Sequence, residues 1–119
     1  MKVAVIGSRT ANERIDRAIL RYLPPTTTEV VSGGAEGVDA AAARVAHELC
    51  IPLRVFEPDY AAYGKRAPLM RNLQIIDYAE EVLAFWDGAS RGTMHVIAEC
   101  IKQGRPVRII PLSTVLPDR

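Results

Sequence analysis

Lys2-Val3-Ala4-Val5-Ile6-Gly7 is a run of small and β-branched apolar residues that ends on a glycine and passes into the polar pair Ser8-Arg9. An unbroken apolar run, rather than an alternating one, reads as a strand covered on both faces. The same pattern recurs along the chain. Glu29 to Ser32 reads as a second strand ended by Gly33-Gly34, Ile51 to Phe56 as a third, Glu81 to Trp86 as a fourth and Val107 to Ile110 as a fifth. Helical patterns fill the intervals. Thr10 and Glu13 have capping-box spacing, and Ile15, Ala18, Ile19 and Tyr22 then share one helical face that Pro24-Pro25 brings to an end. Val38, Ala41, Ala42, Val45, Ala46 and Leu49 make a second stripe. Asp59 to Arg66 has no period and reads as a loop. Pro68 suits a first helical turn and opens a helix with Leu69, Leu73 and Ile76 inward. Gly92 to Gln103 is the last helix, with Val96, Ile97, Cys100 and Ile101 inward and Gly104 as its stop. The tail from Pro111 reads as irregular.

Strands separated by helices require right-handed crossovers and a parallel sheet covered on both sides. Residues 1–119 are therefore expected to form one domain, an α/β, three-layer α/β/α Rossmann-like fold with a five-stranded, mainly parallel sheet. A chain of 119 residues buries roughly two thirds of its unfolded surface, enough for a core without staples. Lys plus Arg number 15 against 14 for Asp plus Glu, and that balance argues against nucleic acid as a partner. No apolar run is long enough to span a membrane, and the N-terminus lacks the pattern of a signal peptide. Cys50 and Cys100 have no metal-ligand spacing with each other or with His47 and His95, so no metal and no cofactor is expected. Both cysteines read as buried thiols in a reducing cytoplasm.

In an open parallel sheet the ligand crevice lies beyond the carboxyl ends of the strands. The residues there are Gly7-Ser8-Arg9, then Ser32-Gly33-Gly34-Ala35-Glu36-Gly37-Val38-Asp39, Glu57-Pro58-Asp59, and Asp87-Gly88-Ala89-Ser90-Arg91-Gly92-Thr93. Polar chemistry is thus gathered on one edge of an apolar sheet. Two of these segments are glycine-containing loops that open helices, where unpaired N–H groups and the helix dipole favour anions. Lys65-Arg66-Ala67-Pro68-Leu69-Met70-Arg71-Asn72 is the only local cluster of base, and it places Arg71 near a helix N-terminus, against the dipole. An arginine there suggests a phosphate or carboxylate partner. Tyr60 and Tyr63 lie in a loop able to cover the crevice. Trp86 reads as core, and His95 as an acid–base candidate only if a partner faces it.

Gly7-Ser8-Arg9, the run from Ser32 to Asp39, Arg71-Asn72 and the stretch from Asp87 through Gly92-Thr93 together resemble the SLOG superfamily, which includes DprA and the LOG phosphoribohydrolases. Its small YspA/YpsA-like branch is the most similar, over nearly the whole chain. The resemblance implies a pocket for a nucleotide or nucleotide-derived ligand, and frequent homodimers. Arg71-Asn72 resembles the Arg-Asn pair of DprA. Val96 stands where the LOG motif has its catalytic glutamate, which argues against LOG-type hydrolysis.

The leading expectation is a sensor or binding module for such a small ligand. Gly7, Ser8, Arg9, Ser32, Gly33, Gly34, Glu36, Gly37, Asn72, Ser90, Arg91, Gly92 and Thr93 are the expected contacts. A first alternative is N-glycosidic hydrolysis or transfer, phosphoribohydrolase-like or deoxyribosyltransferase-like. There Asp87 or Asp39 would stabilise an oxocarbenium-like state while Arg71 holds the phosphate. A second alternative is single-stranded DNA binding by analogy with DprA, which the balanced charge and 6% aromatic content disfavour.

Overall fold

The five apolar runs pair into one sheet. The computed structural model describes residues 1–9, 11 and 14–115, and its strands are β1 (Lys2–Gly7), β2 (Glu29–Ser32), β3 (Leu53–Val55), β4 (Glu81–Trp86) and β5 (Val107–Pro111). Their order is β3-β2-β1-β4-β5, with every neighbouring pair parallel. This is the α/β Rossmann-like fold that the sequence implies. The strand order reverses at β1, so the chain leaves β1 toward β2 on one side and returns to β4 on the other. That is where a parallel sheet opens a crevice.

Successive side chains of a strand point to opposite faces, and the central strands show why both faces must be covered. Val3 and Val5 of β1 with Leu83 and Phe85 of β4 pack under α1 (Ile15–Tyr22) and α2 (Val38–Glu48). Ala4 and Ile6 with Val82 and Ala84 pack on the other face. The helices there are α4 (Ala67–Tyr78) and α5 (Arg91–Gln103). The alanines Ala41, Ala42 and Ala46 of α2 are buried on the sheet. No helix among the described residues is long and apolar enough to cross a membrane.

Several local expectations are corrected. The third strand is only three residues long and lies exposed at the sheet edge. Asp59–Arg66 is not a loop: Tyr60–Tyr63 forms a short helix, α3, and Gly64–Arg66 a 3-10 turn. Asp59 caps α3 by accepting the Ala62 N–H at 3.1 Å. In α4 the inward residues are Ala67, Asn72, Ile75 and Ile76, whereas Leu69 is 43% exposed. Ile101 of α5 is likewise turned outward, and residues 112–115 form a last short helix, α6 (Leu112–Val115). The capping box of Thr10 and Glu13 lies outside the described residues.

Cys50 is exposed, not buried. It stands just past α2 with φ +56°, the left-handed conformation that favours glycine. The Cys50 N–H donates to the His47 carbonyl at 3.1 Å and the Ile51 N–H to the Ala46 carbonyl at 2.9 Å, the two bonds of a Schellman cap. Gly104 ends α5 with the same pair of bonds, to Ile101 and Cys100, and φ +74°. Cys50→Gly is therefore expected to stabilise the fold by about 1 kcal/mol. Urea unfolding followed by circular dichroism checks this, with a higher midpoint as the expected result.

Candidate functional site

Three strand ends and the helices α2, α4 and α5 meet at the carboxyl edge. Ser8, directly after β1, is 1% exposed. Its N–H donates to the Phe85 carbonyl at 3.2 Å and its carbonyl accepts the Val38 N–H at 3.0 Å. Its hydroxyl donates to Asp87 at 3.2 Å. The approach is close enough that glycine is required twice. A Cβ on Gly7 would collide with the Phe85 carbonyl, and one on Gly37, where φ is +71°, with the Ser8 carbonyl.

Between these turns lies a hollow of about 420 Å³. Its polar lining includes Ser8, Arg9, Asp39, Arg71, Asn72 and Thr93. Of the other expected contacts, Gly7, Gly33, Ser90 and Gly92 also line it, as does Asp87. Ser32, Gly34, Glu36, Gly37 and Arg91 do not. Ser32 is buried and works within its own loop, its hydroxyl accepting the Gly34 N–H at 3.2 Å. The sequence reading missed the floor of the hollow, which is apolar: Ile6, Pro68, Leu69, Ile75 and Val96. A strand end followed by helices with apolar inward faces was the available signal.

Arg71 is the cation built most deeply into this hollow. Its guanidinium donates to the Gly33 carbonyl and, at 3.0 Å, to Asn72 Oδ1. A Cβ on Gly33 would stand 2.8 Å from Asp39 Oδ2 and 2.9 Å from Arg71 Nη1, so this glycine makes room for both charged groups. Burial lowers the pKa of Arg71, the charge of nearby Asp39 raises it, and Arg9 lowers it further. Burial pushes the Asp39 carboxyl above the ordinary carboxylate range, while the Ala35 N–H and then Arg71 pull it back. Asn72 reaches on to His95, with Nδ2 3.1 Å from Nδ1 of the imidazole, so His95 serves to brace the arginine's neighbour.

The two glycine-containing turns face one hollow, yet the protein's own carboxylates already take some of their N–H groups. Asp39 Oδ2 accepts the Ala35 N–H at 3.3 Å. Asp87 Oδ1 accepts those of Ala89 at 2.9 Å and Ser90 at 2.7 Å. Anion attraction in the hollow is therefore left to the side chains of Arg9 and Arg71 and to the start of α5. Trp86, half-buried, fastens the same turn by donating its indole N–H to the Ser90 carbonyl at 3.1 Å.

The family model of DNA recombination-mediator protein A matches residues 1–52, the span that carries Gly7-Ser8-Arg9 and Ser32 to Asp39. Gene 61 protein of Mycobacterium phage D29 is 32% identical over 116 residues, covering 89% of this chain and 93% of that protein. The fold is shared with DNA processing protein A (DprA) of Streptococcus pneumoniae, at TM-score 0.69 and 22% identity over 96% of this chain. It is shared too with DNA processing protein A of Helicobacter pylori, studied for its single-stranded DNA binding mode, at TM-score 0.65 and 24% identity over 93% of this chain. The chain spans 53% and 65% of those two structures. It belongs to the family of the phage protein.

Two expectations do not stand. The matches point to DNA-processing proteins rather than to a small-molecule nucleotide sensor, and setting nucleic acid aside was wrong for the same reason. Net charge is a sum over the whole surface, whereas a strand of nucleic acid meets only the local cations.

The Asp87 turn provides a direct test of the site's construction. Its N–H partners at Ala89 and Ser90 hold the Asp87 carboxyl below the ordinary range. The stabilisation is therefore present above the usual carboxylate pKa and is lost as pH falls through the lowered one. Asp87→Ala is expected to cost about 0.5 kcal/mol near neutral pH, the low end for a cap because this one is exposed. In thermal melts from pH 7 down to strong acid, the gap between variant and wild type should close.

Proposed function

We propose that the protein is a DprA-like DNA-processing module that binds single-stranded DNA at the carboxyl edge of its sheet. The observation that carries the reading is Arg71, half-buried beside an apolar lining and bonded to the Gly33 carbonyl; Gly33 lies within residues 1–52, the span that the family model of DNA recombination-mediator protein A matches. Cations that track phosphates beside apolar or aromatic surface that receives bases are the recurrent solution for single strands. Tyr60, 61% exposed in the short helix α3 that leads into α4, offers an aromatic face at the surface. A hollow of about 420 Å³ suits an unpaired nucleotide, not a duplex whose bases are turned inward.

In this reading Arg9 and Arg71 neutralise phosphates, with Asn72, Thr93 and the backbone at Gly92 adding hydrogen bonds. Asp39 and Asp87 position the loops and, in the case of Asp39, the Arg71 side chain. Within the SLOG superfamily we assign the chain to the YspA-like branch, on the order and spacing of Gly7-Ser8-Arg9, Ser32 to Asp39, Arg71-Asn72 and Asp87 through Gly92-Thr93. A homodimer belongs to the same reading, and sedimentation velocity reads it directly.

Fluorescence anisotropy with labelled oligothymidine tests the proposal. Wild-type protein should bind, with affinity falling steeply as salt rises. Arg71→Ala should weaken binding about tenfold and make the slope of log affinity against log salt shallower by about 0.7. Arg71→Lys, which keeps the charge, should recover part of the loss. No binding by the wild type, or equal binding by Arg71→Ala, would contradict the proposal.

A further inference from the structure

Asn72 is 5% exposed, and both polar atoms of its side chain have partners. Its Oδ1 accepts the Arg71 Nε–H at 3.0 Å, and its Nδ2 stands 3.1 Å from His95 Nδ1. The chemistry of the first partner fixes the direction of the second contact. A guanidinium presents donors and no acceptor. The amide oxygen must therefore face Arg71, because a turned-over amide would set two donors against each other. That leaves the Asn72 NH2 facing the imidazole. His95 Nδ1 then has to be a bare acceptor, and the ring proton sits on Nε2. The relay runs one way, from Arg71 through Asn72 to His95.

The fold holds this relay still. Asn72 lies in α4 and His95 in α5, and Ile75, Ile76, Val96 and Ile97 of the same two helices pack in one apolar layer. Among the described residues, Arg71 commits its Nε–H to Asn72 and one Nη1–H to the Gly33 carbonyl. Three of its five N–H groups are left for a ligand. Asn72 likewise keeps one N–H and lines the hollow, whereas His95 does not line it. We propose that His95 is a positioning residue: as the Nε2–H tautomer it fixes the Asn72 amide, and through it the face that Arg71 presents to a phosphate. The phosphate belongs to the single-stranded DNA reading, on which this role rests. The relay itself stands apart from that reading.

Two variants separate the acceptor from the ring. His95→Leu removes the Nδ1 acceptor, and His95→Asn puts an amide oxygen in its place. Circular dichroism first confirms that each is folded. In mildly alkaline buffer, where an imidazole is ordinarily neutral, nitrogen-15 spectra should show His95 as one pure tautomer with a bare Nδ1. Exposed His47 should show the averaged pattern of a free ring. The Arg71 Nε–H should be protected from solvent exchange in wild type and His95→Asn, and unprotected in His95→Leu. On oligothymidine, His95→Leu should bind about fivefold more weakly, and His95→Asn should recover most of that loss. Added to Arg71→Ala, His95→Leu should weaken binding no further. A proton on His95 Nδ1, or an Arg71 Nε–H equally protected in His95→Leu, would overturn the relay whatever the protein binds. Wild-type affinity in folded His95→Leu, or a further fivefold loss on top of Arg71→Ala, would overturn the positioning role alone. Should the relay signals be as expected while wild type binds no oligothymidine, the single-stranded DNA reading falls and the positioning role falls with it.

Discussion

Ser8 joins the parts of this molecule that have to meet. Its peptide N–H is held by the end of β4, its carbonyl by the start of α2, and its hydroxyl by Asp87 in the turn that leads to α5. These bonds form only because Gly7 and Gly37 carry no side chain to keep the backbones apart. Such close contact leaves the first strand end buried beneath a hollow rather than filled by it. A parallel sheet whose order reverses at β1 must open a crevice there. The Ser8 joint sets how near the rims of that crevice stand.

On this frame the charged groups are arranged by depth. Asp39, 6% exposed, lies beneath Arg71, keeps the Ala35 N–H occupied and favours the charged form of the guanidinium. Asp87, at the surface, occupies the N–H groups of its own turn. Loops that look in sequence like empty anion nests are thus closed partly from within. The positive charge offered outward is carried by arginine side chains, which reach a flexible polymer more readily than a fixed backbone cradle does. That distribution accords better with a nucleic-acid strand than with a small ligand fully enclosed.

Much of this architecture was legible in the residues themselves. The strands Glu29–Ser32 and Glu81–Trp86 and the stop at Gly104 follow from apolar runs and a helix-ending glycine, signals that act locally. The α3 helix escaped because four residues are too few to show a period, and its capping by Asp59 resembles an ordinary turn. The inward face of α4 was misjudged because Leu69 and Leu73 fit an apolar stripe, while polar Asn72 is the buried residue. Its burial is satisfied by Arg71 and His95, partners that only the tertiary structure brings near. Asp87, Arg71 and Asp39 do meet in space, but the apolar floor and the internal occupation of both turns depend on helix packing across the sheet. Whole-chain charge misled most, since a sum over the chain says nothing of where Arg9 and Arg71 stand in the hollow.

The central claim is that a single strand of DNA lies on the carboxyl edge of the sheet. Titrating oligothymidine into isotopically labelled protein and following the backbone amide resonances tests it most directly. The account predicts shifts concentrated at Ser8, Arg9, Gly33, Asn72 and Thr93, with His47, Cys50 and Glu80 at the other end of the sheet unmoved. Shifts confined to that opposite end, or none at saturating oligonucleotide, would contradict it.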